Sequence, residues 1–257
     1  MAETEETEAA TDWTGRPFSC QDCPHKDLRA GGHCVLGRIC VRDKRSRRID
    51  AFFGKNPEQA GGYVDHLYFE VRALAAKYAN PFQIVRLMTD REPEVRAMAA
   101  LRLPIARVRE MRSDKDSAVR VACALRLEGA DLVAMANDES ERVRFTVARR
   151  LDPHLLPMMI GDRDPTIRRT VAMRLNPDRL FALIHDGDPL VRREAAERIA
   201  PDALMHLLAD PDLRVRFVVA DRAPREIAGR LIHDADEEVA ARARERLDET
   251  APFPKSP

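Results

Sequence analysis

An aspartate recurs every 24 residues along most of this chain, at Asp90, Asp114, Asp138, Asp162, Asp186, Asp210 and Asp234, without one insertion. A period held in register over that length means one small structural unit stacked on copies of itself, because no single copy could bury its apolar face alone. Other columns keep the same step. Val95, Val119, Val143, Ile167, Val191, Val215 and Val239 follow the aspartates by five residues. Beside them stand Arg96, Arg120, Arg144, Arg168, Arg192 and Arg216, and an earlier copy supplies Val71 and Arg72. Ala76, Ala100, Ala124, Ala148, Ala172, Ala196 and Ala220 form a small-residue column. Seven full units run from residue 67 to 234, and a half unit follows.

Each unit reads as a helix with a short companion. Glu92, Asp116, Ser140, Asp164, Asp188, Asp212 and Asp236 occupy the cap position, where a side-chain oxygen accepts bonds from free helix N–H groups. Pro93, Pro165 and Pro189 sit at the first helical position, which tolerates proline. Val95, Ala99, Ala100 and Leu103 fall on one arc of that helix and predict its buried face. Pro104, Gly129, Pro153, Pro177 and Pro201 mark its end. A second apolar set, such as Val108 with Met111 or Leu204 with Leu207, leaves room only for a short helix of the tighter 3₁₀ kind. No alternating strand pattern occurs. A step of 24 is too short for the tetratricopeptide and HEAT repeats, and the strand signature of ordinary leucine-rich repeats is missing.

Ahead of the array stand Cys20, Cys23, Cys34 and Cys40, spaced Cys-x2-Cys-x10-Cys-x5-Cys; Cys123 stands alone. Four clustered cysteines in a reducing compartment argue for metal rather than disulfides. Cys-x2-Cys lets two thiolates grip one centre from a tight turn, helped by Pro24 and by Gly31 and Gly32. The second pair is looser than zinc ribbons use. His25 and His33 stand close enough in sequence to replace a cysteine in a zinc site. Spacing alone leaves a [4Fe–4S] cluster and structural zinc both open. The chain therefore divides into an acidic, disordered tail (1–17), a four-cysteine segment (18–50), a junction (51–66) and a repeat solenoid (67–250).

The unit Val-Arg-x-x-x-Ala-x-Arg-Leu-x-Pro-x-x-Leu behind a four-cysteine segment resembles the leucine-rich repeat variant proteins that carry an N-terminal iron–sulfur cluster. The resemblance covers residues 18 to about 248. It implies an all-α, right-handed superhelical solenoid in which α-helices and 3₁₀-helices alternate, and it favours a [4Fe–4S] cluster on Cys20, Cys23, Cys34 and Cys40 over zinc. Tyr68, Tyr78 and Ala240 depart from the pattern at the ends of the array, where capping units differ.

The remaining residues are weighed against structural roles. Arg96 and its repeats lie inside the apolar arc, so their charge needs a partner, and the aspartate column is the acidic column of the same period. An Arg–Asp ladder is expected. Arg102, Arg126, Arg150, Arg174, Arg198, Arg222 and Arg246 stand near helix C-termini, which favour cations; a cationic row could also meet phosphates. The run Lys44, Arg45, Arg47 and Arg48 reads as a solvated loop, with nucleic-acid contact or neutralisation of the cluster as alternatives. Lys26, Arg29, Arg38 and Arg42 would stabilise an anionic cluster. Cys123, Met111, Met135 and Met159 fall in core columns.

Lys and Arg balance Asp and Glu at 43 each, so net charge points to neither nucleic acid nor membrane. Charged residues make up 33% of the chain and aromatic residues 5%, as suits a fold with much surface per residue. No apolar run reaches the roughly 20 residues of a membrane span, and the N-terminus lacks a secretory pattern, so the cytoplasm is expected. No catalytic constellation is visible. The expected function is a non-enzymatic, cluster-containing scaffold for another protein, responsive to redox state or oxygen. An electron carrier and a nucleic-acid-binding protein are the alternatives, nucleic acid being the lesser partner.

Overall fold

The computed structural model describes residues 11–21 and 23–249, so the acidic stretch 1–10 of the expected tail lies outside the described residues. Among the described residues there is no β-sheet; two isolated antiparallel bridges join Thr11 to Pro17 and Val35 to Ile39. The chain divides into two compact units, residues 1–131 and 132–257. In the first, helix α1 (Ser46–Lys55) packs on α2 (Phe69–Tyr78), α2 on the helix Pro93–Arg102, and that helix on Ser117–Ala124. In the second, Glu141–Arg150, Pro165–Arg174, Pro189–Ala196, Leu213–Arg222 and Glu237–Glu249 stack in the same sequential way.

The repeat pattern explains each helix. Asp116, Asp164, Asp188 and Asp212 accept a bond from the backbone N–H two residues on. Glu92 and Ser140 make no such side-chain bond, contrary to expectation. For Glu92 the carboxylate stands one methylene farther out than an aspartate's. Val95, Ala99, Ala100 and Leu103 are fully buried, and their counterparts through Val215, Val219, Ala220 and Ala223 are buried too. Each buried valine or leucine contributes about 1.5–3 kcal/mol, and the alanines let neighbouring helices approach closely.

The short companions are 3₁₀ at Leu156–Met159, Pro177–Leu183 and Pro201–Leu207. At Ile105–Met111 and Gly129–Val133 they are α-helical instead. The segment 105–111 holds no proline or glycine and is rich in helix formers, so nothing tightens its turn.

The expected ladder forms. Arg96 Nε and Nη2 donate to Asp114 at 2.7 Å each, and the same two-pronged bond joins Arg72 to Asp90, Arg144 to Asp162, Arg168 to Asp186, Arg192 to Asp210 and Arg216 to Asp234. The third nitrogen, Nη1, donates to backbone carbonyls of the turn just before its helix, as Arg96 does to Asp90 (2.8 Å) and Arg91 (3.2 Å). Each guanidinium thus ties the turn before its own helix to the carboxylate 18 residues further on.

Candidate metal centre

Cys20, Cys23, Cys34 and Cys40 are all buried, between 2% and 8% exposed, and none forms a disulfide. Local backbone bonds bring them in. Cys23 N–H donates to the Cys20 carbonyl (3.3 Å) and Lys26 N–H to the Cys23 carbonyl (3.1 Å), which starts a 3₁₀ turn at Lys26–Arg29. The chain then doubles back. The N–H groups of His33 and Cys34 both donate to the Leu28 carbonyl, at 3.1 and 3.3 Å. Between Cys34 and Cys40, Val35 and Ile39 exchange bonds of 2.9 and 2.8 Å, with Gly37 at φ +75° in the bend. Left-handed backbone there suits glycine and no branched side chain. This small hairpin folds the x5 spacing back on itself. The signal in the sequence was Leu-Gly flanked by apolar residues, and sequence reasoning missed it. Cys40 N–H finally donates to the Arg48 carbonyl at 3.1 Å, hanging the fourth cysteine on the first turn of α1.

The thiols feel one another. Burial raises the Cys34 thiol above its usual range, and the charges of Cys23 and Cys20 raise it further. Burial, with Cys34, Cys23 and Asp43 adding to it, pushes Cys40 up to about 12. Burial, then Cys23 and Cys40, pushes the Tyr63 hydroxyl to about 12. Among the described residues no three His, Cys, Asp or Glu side chains are gathered tightly enough to grip one metal ion. The thiols' effects on one another's acidity, not a preformed grip, are what link them in this structure. Asp43, whose charge reaches Cys40, is held by Arg48 (2.8 Å) and by the Arg45 N–H (3.0 Å). What remains is an all-sulfur donor set, which fits iron–sulfur clusters and zinc and suits magnesium or calcium poorly.

The structure takes the histidines elsewhere. His25 Nε2 lies 2.6 Å from the Tyr63 hydroxyl, and its ring sits 5.0 Å from that of Phe52. His33 is exposed, with Nδ1 3.3 Å from the Lys55 carbonyl. Of the expected cations, Arg29 acts on Cys34, Arg42 lies over the Phe18 ring at 4.9 Å, and Lys26 and Arg38 are exposed. The basic run is not a loop throughout. Arg47 and Arg48 lie in the first turn of α1, which begins at Ser46 and crosses the expected boundary at residue 50.

Away from this site, four arginines of the second row bond to the backbone. Arg174 Nη1 donates to the Ala148 carbonyl at 2.7 Å, Arg126 to Ala100 at 3.3 Å, and Arg198 and Arg222 to Ala172 and Ala196. These four side chains lock one helix end to the previous one. Cys123 is fully buried, and burial, with Asp114 behind it, pushes its thiol to about 12, as befits a small core residue. No helix among the described residues is long and apolar enough to cross a membrane.

Residues 10–61 match a family model described as the FeS4 cluster of LRV proteins. A curated protein of Rhodobacter capsulatus, an uncharacterized 27.7 kDa protein in the nifB 3' region, is 44% identical over 82 residues, 32% of this chain and 34% of that protein. The chain thus matches about a third of that relative's length. The repeats have a solved counterpart. A leucine-rich repeat variant with a novel repetitive structural motif aligns at 34% identity over 90% of this chain and 99% of the other, with a TM-score of 0.82.

Proposed function

The chain belongs to the leucine-rich repeat variant family and carries an iron–sulfur domain, and on that premise we propose that Cys20, Cys23, Cys34 and Cys40 hold a [4Fe–4S] cluster on a cytoplasmic, non-enzymatic scaffold that binds another protein. One observation carries the reading: four buried, unbridged thiols that act on one another, beside a carboxylate, Asp43, that is tied to Arg48. Bound there, such a cluster supplies one-electron chemistry and sensitivity to oxygen. The chain's own part is to bury it, with Arg29 offsetting its negative charge. The repeats support a binding role, because stacked short units present an extended surface. The test is anaerobic purification followed by iron, acid-labile sulfide and zinc analysis. About four irons and four sulfides per chain are expected. Stoichiometric zinc without sulfide would remove the cluster from the reading.

A further inference from the structure

The four cysteines account for the donors but not for what fixes the second pair in place. Asn56, just past the C-terminal end of α1, is 1% exposed and lies 22 residues from Cys34 in sequence. Its side-chain nitrogen donates to the carbonyl of His33 at 2.9 Å and to that of Phe52 at 2.8 Å. Both amide hydrogens are therefore used, and both partners are carbonyls, so the amide cannot be flipped without losing both bonds. The side-chain oxygen is left buried with no partner. A buried acceptor without a donor is costly, so an asparagine here makes sense only for what its nitrogen holds. The two bonds are unequal in consequence. Phe52's carbonyl also receives the backbone N–H of Asn56 at 3.0 Å and can spare the side chain. His33's carbonyl has the Asn56 amide as its partner, and His33 is the residue before Cys34.

Resting on the cluster reading above, we infer that Asn56 is a positioning residue for Cys34, clipping the metal loop to the C-terminal end of α1 as the Arg48 carbonyl clips Cys40 to its start. Helix α1 is then a spine of fixed length from which the second pair of thiols hangs. Asn56 acts through the His33 carbonyl and not as a ligand; it decides where one thiolate stands.

The experiment uses the full chain, purified anaerobically with its metal. Asn56→Asp keeps the size and the backbone bond but turns two oxygens toward the carbonyls; Asn56→Ala removes the clip. Metal release to a chelator is followed by loss of cluster absorbance, beside the midpoint potential and the helical melting curve. At least a tenfold faster release is expected in both variants, with a shifted potential and an unchanged helical melt. Release within twofold of the parent, at an unchanged potential, overturns the assignment. If Asn56→Asp gives no soluble chain, Asn56→Ser, small and still polar, carries the same two outcomes. Should the parent contain zinc and no sulfide, the cluster reading fails, and zinc release from the same variants still decides the role of Asn56.

Discussion

Asp114 receives two N–H groups from Arg96, at 2.7 Å each, and a third from the Asp116 backbone at 2.8 Å, while its carbonyl accepts from Arg120 at 2.9 Å. Side-chain exposure is 12% for Asp114 and 5% for Arg96. Burial alone would raise the pKa of this carboxyl, but the Arg96 bond and the Asp116 N–H outweigh it and hold the group below its usual range. The effect on stability follows from the asymmetry of buried pairs: losing one partner strands the other's charge, whereas losing both can be nearly neutral. Asp114→Ala should therefore destabilise the folded chain by about 3–5 kcal/mol in chemical denaturation. The double variant with Arg96→Met should recover part of that loss but not all, because Arg96 also serves the carbonyls of Asp90 and Arg91. A double variant no more stable than Asp114→Ala would show that the rung is not the source of the effect.

At the scale of the repeat unit, the sequence made the helices legible because a fixed period places identical demands on every copy. The apolar arc Val95, Ala99, Ala100 and Leu103 is buried as its spacing predicts, and the ladder was readable because a charge inside that arc must be paired. The companions were less legible. Whether seven residues close as α or 3₁₀ depends on small differences in local propensity, and 105–111 chose the looser turn. The metal loop was legible in its ligands and not in its supports. Cysteine spacing is a one-dimensional signal, but the Val35–Ile39 hairpin and the Asn56 clip depend on where the chain returns. The second arginine row was placed correctly near helix ends, yet its partners are carbonyls of the preceding helix, 26 residues back. One charged donor on a half-buried carbonyl is worth about 1–2 kcal/mol. Arg174→Gln should lower stability by that amount in a denaturant titration, and a loss below about 0.3 kcal/mol would reduce the Ala148 contact to a surface accident.

Across the whole molecule, stability is unevenly supplied. Between residues 11 and 45, the described regular structure is one 3₁₀ turn and two isolated bridges. Apart from the four cysteines, the fully buried apolar residue there is Val41. Such a segment cannot offset its chain entropy by burial, so the metal must supply much of its folding free energy. From α1 onward the balance changes. Ile49, Phe52 and Phe53 are fully buried, and Phe53 meets the rings of Tyr63 and Tyr78 at 5.6 and 6.3 Å without help from any thiol. The repeats beyond carry their own apolar columns and ladder. Removing the metal with a chelator under reducing conditions should therefore strip amide-exchange protection from residues 11–45 and stop at α1. The helices from Phe69–Tyr78 to Glu237–Glu249 should keep their protection and most of the helical signal. Loss of protection through the repeat helices as well would mean that the metal loop seeds the array, and that the repeats do not stand on their own burial.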